Sequence, residues 1–320
     1  MLSYSVQTAT LGHTNVTVPA LGIGTWQWGD KLFWSYGKDY GSQQVREAFF
    51  AAVNAGITFF DTAEVYGLGE SERLIGQFIK ACDRPVQIAT KYFPLPWRFG
   101  AQAVEETLTA SLKRLQLQHI PLYQVHAPLD FLMGQRTLMH ALADEVEKGR
   151  IGAIGISNYS AAQMRQAHQY LAARNIPLAV NQVRYSLLTR QIEFNGILDT
   201  ARELGVTILA YSPLAQGLLT GKYTSESAPK PEGARRIDPR FSQKGLERIA
   251  PLINALQQIG ATHQRTSAQV ALNWLIAQGN VIPIPGAKNA NQAEQNAGAL
   301  GWSLSPEEVS QLDELSRNCQ

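Results

Sequence analysis

Between residues 20 and 300 the chain repeats one rhythm: a short apolar, β-prone run, then a stretch with helical spacing of its apolar residues. The extended runs are 20–26, 57–61, 86–91, 121–126, 151–158, 178–182, 206–211 and 281–284. Helical stretches follow at 42–55, 70–81, 101–115, 134–148, 161–174 and 195–204, then as a pair at 245–259 and 266–277, and finally at 289–299. Ser42 is placed to cap the first helix and Gly56 to end it. Strands that alternate with helices run parallel, because the intervening helix carries the chain back to the starting edge. Eight such units in this length predict an α/β chain folded as a closed (β/α)8 TIM barrel, one domain over residues 1–320. A doubly wound sheet fits less well, since no G-x-G-x-x-G follows the first strand. Outside the repeat, residues 5–18 alternate around Gly12-His13-Thr14-Asn15 and predict a β-hairpin capping one end. Ser305-Pro306-Glu307-Glu308 opens an extra C-terminal helix.

The bulk properties narrow the function. A net charge of +2 argues against nucleic-acid and membrane partners, and 45% hydrophobic residues are ample for a large core. No stretch approaches the ~18 apolar residues of a membrane span, and the N-terminus has no basic or apolar leader. Two cysteines, Cys82 and Cys319, without metal spacing suit a reducing, cytoplasmic setting. No exposed heptad or apolar tail points to an assembly, which is compatible with a monomer. No metal site is expected.

A parallel barrel gathers its strand ends on one rim, where active sites form. The runs end on Asp61, Lys91 and His126, with Tyr66 in the loop after Asp61. Ser157, Asn158, Gln182 and Tyr211 end later runs. Singly, each has an ordinary explanation: a carboxylate caps a turn, a tyrosine packs, a lysine is solvated, a histidine satisfies a hydrogen bond. Four complementary groups on three adjacent strand ends suit proton transfer to a carbonyl oxygen. A phenol has a pKa near about 10 and donates poorly at neutral pH. A neighbouring ammonium is expected to lower that value, with a carboxylate holding the ammonium. Tyr66 is then the general acid, Lys91 its tuner, Asp61 the anchor and His126 the polariser of the carbonyl. None of these can supply a hydride, so reduction requires a nicotinamide or flavin cofactor.

These residues resemble the aldo-keto reductase family. The resemblance is carried by Asp61-Thr62-Ala63-Glu64-Val65-Tyr66-Gly67, Ala89-Thr90-Lys91-Tyr92 and Tyr123-Gln124-Val125-His126. It continues, in order, through Gly155-Ile156-Ser157-Asn158, Val180-Asn181-Gln182, Ala210-Tyr211-Ser212-Pro213-Leu214 and Pro285-Gly286-Ala287-Lys288-Asn289, covering Leu21 to about Leu315. It implies an NADPH-dependent carbonyl reductase. Carried over by position, Ser157, Asn158 and Gln182 hold the nicotinamide carboxamide, and Tyr211 stacks on its ring. Gly24, Thr25, Trp26, Asp61 and Pro213 are further implied cofactor contacts. Ser212, Leu214, Gly217 and Lys222 meet the pyrophosphate. Gly286 and Lys288 meet the adenosine phosphate, which favours NADPH over NADH. Gln292, Gln295 and Asn296 face adenine; many relatives have Glu where this chain has Gln295. The loop from Pro229 to Arg240, with Lys230, Arg235, Arg236 and Arg240, either folds over bound cofactor or stays solvated.

The substrate, a small carbonyl compound, is expected to meet Trp26, Trp28, Trp34, Phe93 and Trp97 beside His126. An aromatic wall favours flat or apolar carbonyls over sugars. The aromatic first loop and the ending Ala299-Leu300-Gly301-Trp302 resemble plant and cyanobacterial members, pyridoxal reductases among them. Two rivals remain. A non-catalytic NADPH-sensing subunit, like the β subunits of potassium channels, is disfavoured because those lack histidine at the position of His126. A barrel hydrolase or lyase using Asp61 and His126 alone gives no role to Ser157, Asn158, Gln182 and Lys288 together.

Overall fold

The computed structural model describes residues 7–129, 133–224, 235 and 238–319. Eight parallel strands follow one another in chain order around a barrel: β3 (Ile23–Gly24), β4 (Phe59–Asp61), β5 (Gln87–Tyr92), β6 (Ile120–Val125), β7 (Ile151–Ser157), β8 (Leu178–Arg184), β9 (Thr207–Tyr211) and β10 (Val281–Pro283). The ring closes where Gly22 N–H and Gly24 N–H donate to the carbonyls of Pro283 and Pro285, each at 3.0 Å. The expected (β/α)8 barrel is therefore the fold. The first strand is shorter than the sequence suggests, and the turn from Thr25 to Trp28 ends it (Trp28 N–H to Thr25 O, 2.9 Å).

A helix follows each strand: α1 (Ser42–Asn54), α2 (Glu70–Lys80), α3 (Gly100–Leu115), α4 (Gln135–Glu147), α5 (Ala161–Ala172) and α6 (Ile197–Leu204) come first. After β9 come α7 (Gln243–His263) and α8 (Ser267–Ala277), after β10 comes α9 (Ala290–Ala297), and α10 (Pro306–Arg317) ends the chain. Helix α9 packs on α1, closing the outer ring, while α7 and α10 pack together as the additional helices. Gly41, not Ser42, is the residue before α1; its N–H is held by the Gln44 side chain at 2.9 Å. Thr266 and Ser305 cap α8 and α10 with reciprocal side-chain bonds, and Pro306 stands at the first helical position.

Along each barrel strand alternate residues point inward. The lower inward layer is apolar: Phe59, Ala89, Leu122, Ala153, Val180, Leu209 and Ile282 form one buried cluster. The hairpin of β1 (Thr8–Thr10) and β2 (Thr17–Pro19) plugs that end with Leu11 and Val18, and Gly12 N–H bonds Thr207 Oγ1 at 2.9 Å. Two residues further along the same strands stand Asp61, Lys91, Gln124, Gly155, Gln182 and Tyr211. The barrel thus changes from apolar to polar in one strand period, and that step places the site.

Candidate active site

The polar layer is built around Lys91. Its ammonium lies 2.5 Å from Asp61 Oδ2, 2.8 Å from the carbonyl of Thr62 and 3.3 Å from the hydroxyl of Tyr66. An ammonium has three N–H donors and no acceptor, so all three are used. Asp61 Oδ1 accepts from Gln182 Nε2 at 2.7 Å and from Gln124 Nε2 at 2.9 Å. Lys91, Asp61, Gln124 and Gln182 are all at least 97% buried. An unpaired charge here would be costly, so the carboxylate and ammonium are held by each other and by the amides.

Tyr66 opens a single tight turn, Tyr66–Gly69. Gly67 has φ 56°, and a Cβ on it would lie 2.5 Å from the carbonyl of Gly29, so the Tyr66 loop turns against the first loop where only glycine fits. Because the phenol oxygen accepts from Lys91, its own hydrogen is left to point elsewhere, into the cavity that Tyr66 lines. Burial pushes the Tyr66 phenol up, and Lys91 only partly reverses this. The expected net lowering is therefore incorrect: burial disfavours the phenolate more strongly than Lys91 favours it, and Asp61 offsets part of the charge of Lys91. Burial alone would push Lys91 down, but Asp61 and Tyr66 more than offset it, and the ammonium is held above its ordinary value. His126 follows β6, its N–H on the carbonyl of Tyr92 at 2.8 Å. Its ring stands edge-on to Tyr66 and Phe93, with centroids 5.6 and 5.3 Å apart. Burial, with help from Lys91, lowers His126 to about 3, so its imidazole is neutral across the physiological range. Its Nδ1 is buried with no partner among the described residues.

Above this layer opens a cavity of about 1010 Å³. It is lined by Asp61, Tyr66 and His126, with Lys91 behind them. Every residue expected at the cofactor lines it: Gly24, Thr25, Trp26, Ser157, Asn158, Gln182, Tyr211, Ser212, Pro213, Leu214, Gly217, Lys222, Gly286, Lys288, Gln292, Gln295 and Asn296. Ser157 Oγ donates to the carbonyl of Gln182 at 2.9 Å and accepts from Asn158 Nδ2 at 3.1 Å, while Tyr211 donates to Asn158 Oδ1 at 3.1 Å. Asn158 (φ 61°), Ser212 (φ 51°) and Gln216 (φ 57°) hold left-handed backbone along this wall, costly conformations that concentrate at binding sites. Lys222, Arg235 and Lys288 bring positive charge to the cavity. Lys288 Nζ stands 4.5 Å over the Tyr40 ring and 5.1 Å over Trp34, on an aromatic bed. A row of hydroxyls and amides for a carboxamide, an aromatic face and three cations for phosphates match the chemical parts of a nicotinamide dinucleotide. Among the described residues there is no cluster of metal ligands.

The aromatic wall is smaller than expected. Trp26, Trp34 and Phe93 line the cavity, joined by Phe33. Trp26 packs edge-on to Trp34 at 5.5 Å and stacks beside Tyr66 at 6.2 Å. Trp28 is a correction: it is fully buried in the helix–sheet core, its Nε1 on the carbonyl of Ala287 at 2.7 Å and its ring against Phe60 and Phe78. Trp97 is another: it is 68% exposed and off the cavity wall, because the turn at Leu95–Arg98 directs Arg98 inward instead. Of the basic loop, Arg235 lines the cavity and Arg240 pairs with Asp238 at 2.6 Å. Lys230, Arg236 and any closure of that loop lie outside the described residues. Besides Phe33 and Gln216, sequence reasoning missed Gln124 and Gln27. Gln124 holds Asp61, and its signal was available, two residues beyond Leu122 on the inward face. Gln27 joins the cavity wall beside Gly286 with no such periodic signal.

Residues 20–317 match the family model described as aldo/keto reductase family. The chain belongs to the aldo/keto reductase family. The chloroplastic pyridoxal reductase of Arabidopsis thaliana is 40% identical over 317 residues, covering 93% of this chain and 83% of that protein. The glycerol dehydrogenase of Gluconobacter oxydans superposes with a TM-score of 0.84 at 27% identity, over 98% of this chain and 95% of that one. An aldo-keto reductase from Klebsiella pneumoniae, solved in complex with NADPH, gives 0.73 at 29% identity, over 97% and 95%. As for membranes, no helix among the described residues is long and apolar enough to cross one.

Proposed function

We propose that this aldo/keto reductase reduces aldehydes and ketones to alcohols with NADPH, using Tyr66 as the acid. Membership of the family and the NADPH complex of the Klebsiella relative support an NADP(H)-dependent oxidoreductase. When bound, the cofactor supplies the hydride. The observation that carries the catalytic reading is the exhaustion of Lys91: with its three donors on Asp61, Thr62 and Tyr66, the phenol oxygen is an acceptor and its proton is left for the cavity. Neutral His126 orients the substrate by donating a hydrogen bond to the carbonyl oxygen that Tyr66 protonates. As the alcohol forms, Tyr66 gives up its proton, and the ammonium 3.3 Å away stabilises the phenolate for that moment.

Ser157, Asn158 and Gln182 hold the nicotinamide carboxamide in this reading, and Tyr211 backs the ring. Lys222, Arg235 and Lys288 answer the phosphates, with Gln292, Gln295 and Asn296 at the adenine. For substrate, the wall of Trp26, Phe33, Trp34 and Phe93 favours flat aromatic carbonyls. Pyridoxal is the named candidate, supported by the 40% identity to the Arabidopsis enzyme. NADPH consumption against pyridoxal, methylglyoxal and nitrobenzaldehyde ranks these substrates. Tyr66→Phe tests the acid: turnover falls by roughly 100-fold or more while NADPH still quenches protein fluorescence. Turnover near the parent value removes Tyr66 from that role.

A further inference from the structure

We propose that the Glu64–Arg98 ion pair is a positioning element that sets the substrate aperture, by holding Phe93 against His126. The inference rests on the reading above, in which the carbonyl sits beside Tyr66 and His126. Glu64 lies in the acid loop, two residues before Tyr66, and its side chain is only 8% exposed. Its Oε1 accepts from the Phe93 N–H at 2.7 Å and from Arg98 Nη1 at 2.5 Å; its Oε2 accepts from Arg98 Nη2 at 2.9 Å. Arg98 Nη1 also donates to the Phe93 carbonyl at 2.6 Å. Both backbone polar groups of Phe93 are therefore clamped by one ion pair, and the guanidinium lies 5.2 Å over the Tyr92 ring.

Packing holds only the start of this segment, where Pro94 is buried and Leu95 half-buried. Trp97 and Phe99, which flank Arg98, are 68% and 64% exposed. Of the residues in this turn, Phe93 lines the cavity and meets the His126 ring at 5.3 Å. With the large side chains of its outer part in solvent, the turn depends there on polar bonds, and a forked guanidinium–carboxylate pair is the strongest of those present. Neither Glu64 nor Arg98 lines the cavity, so the pair acts through Phe93. Losing it lets Phe93 leave His126 and widens the wall. Large aromatic carbonyls, which need the wall, lose binding; a small dicarbonyl, which reaches only Tyr66 and His126, does not.

The test compares Arg98→Met, Glu64→Gln and Arg98→Lys with the parent. For nitrobenzaldehyde, Arg98→Met raises KM about tenfold with kcat little changed, as expected for loss of binding shared by ground and transition states. For methylglyoxal both constants stay near parent values, and NADPH affinity is unchanged. Arg98→Lys recovers part of the loss, because it restores charge but not the fork, and Glu64→Gln, which keeps the acceptor for Phe93, falls between. Calorimetric binding of nitrobenzyl alcohol to the NADP-loaded protein makes the same comparison without turnover. An inactive parent would thus sink the proposed reaction while this arm still decides the aperture. Equal losses for both carbonyls, or an unchanged affinity for nitrobenzyl alcohol in Arg98→Met, overturns the inference.

Discussion

The polar layer inside the barrel and the aromatic wall above it are held in opposite ways. Four members of the polar layer sit on strands, two residues beyond an apolar partner, with side-chain hydrogen bonds to one another: Asp61 after Phe59, Lys91 after Ala89, Gln124 after Leu122, Gln182 after Val180. The wall is carried by loops, and neighbouring residues there go separate ways. Trp26 lines the cavity while Trp28 is core; Phe93 lines it while Trp97 faces water. Strand periodicity determines direction, whereas a turn of a few residues does not. The strand-borne Asp61–Lys91 pair is therefore rigidly placed, while the loops above it shape what enters.

The sharpest break in this comparison is Lys91→Met. It removes the ammonium bonded to Tyr66 and leaves Asp61 buried with only two amides. Turnover is expected to fall roughly 100-fold or more, and stability by about 3–5 kcal/mol, since one partner of a buried pair remains uncompensated. NADPH consumption and urea denaturation measure the two; a variant as stable as the parent means that Gln124 and Gln182 suffice to hold the carboxylate.

Gly155→Ala probes the same layer more gently. A Cβ there would stand 2.5 Å from Val180 Cγ2 and 2.7 Å from Gln124 Cγ, so Gln124 must move from Asp61. Overpacking of this kind costs about 1–3 kcal/mol. Denaturation without any loss would show that the layer yields as readily as a loop does.

The wall is tested by a contrast between its two tryptophans that are not wall. Trp28→Phe loses the bond to Ala287 and should cost about 1–2 kcal/mol with KM unchanged. Trp97→Ser should stay within about 0.5 kcal/mol, as exposed positions do. A raised KM for aromatic aldehydes in either variant would return that residue to the substrate wall.

The smallest effect on rate is expected from pH. Tyr66 is raised and His126 lies at about 3, so neither group changes charge near neutrality, and reduction should run level there. An inflection near pH 6.5 that disappears in His126→Asn would mean that the imidazole titrates in the working range. Stability behaves differently. The folded-state value of His126 is depressed, so the unfolded chain takes up a proton first as pH falls below 6.5. The contribution of His126 is complete above that pH and is lost on descending towards 3, and His126→Asn should flatten this part of the acid-unfolding curve.

The strand-borne part of the site was thus legible from residues alone. Asp61, Lys91, Gln182 and Tyr211 sit at fixed places in an alternating pattern, and the barrel forces such places together. The departures arose where no period applies. The direction of the Tyr66 shift depended on how much burial surrounds it and how far Asp61 answers Lys91, which are sums over neighbours distant in sequence. Gln124 had the right spacing, but its partner is 63 positions away.

Taken by itself, the sequence determined the eight strand–helix units, the barrel, the rim on which Asp61, Tyr66, Lys91 and His126 meet, and the family. Those follow from local pattern: period two in strands, helical spacing between them, and short motifs at strand ends. Only the tertiary structure decided which tryptophans face the cavity, that Lys91 spends all three of its donors, and that Glu64 and Arg98 clamp Phe93. Each of these depends on the meeting of side chains from different loops and strands, where direction is set by packing and burial and by no repeat in the chain.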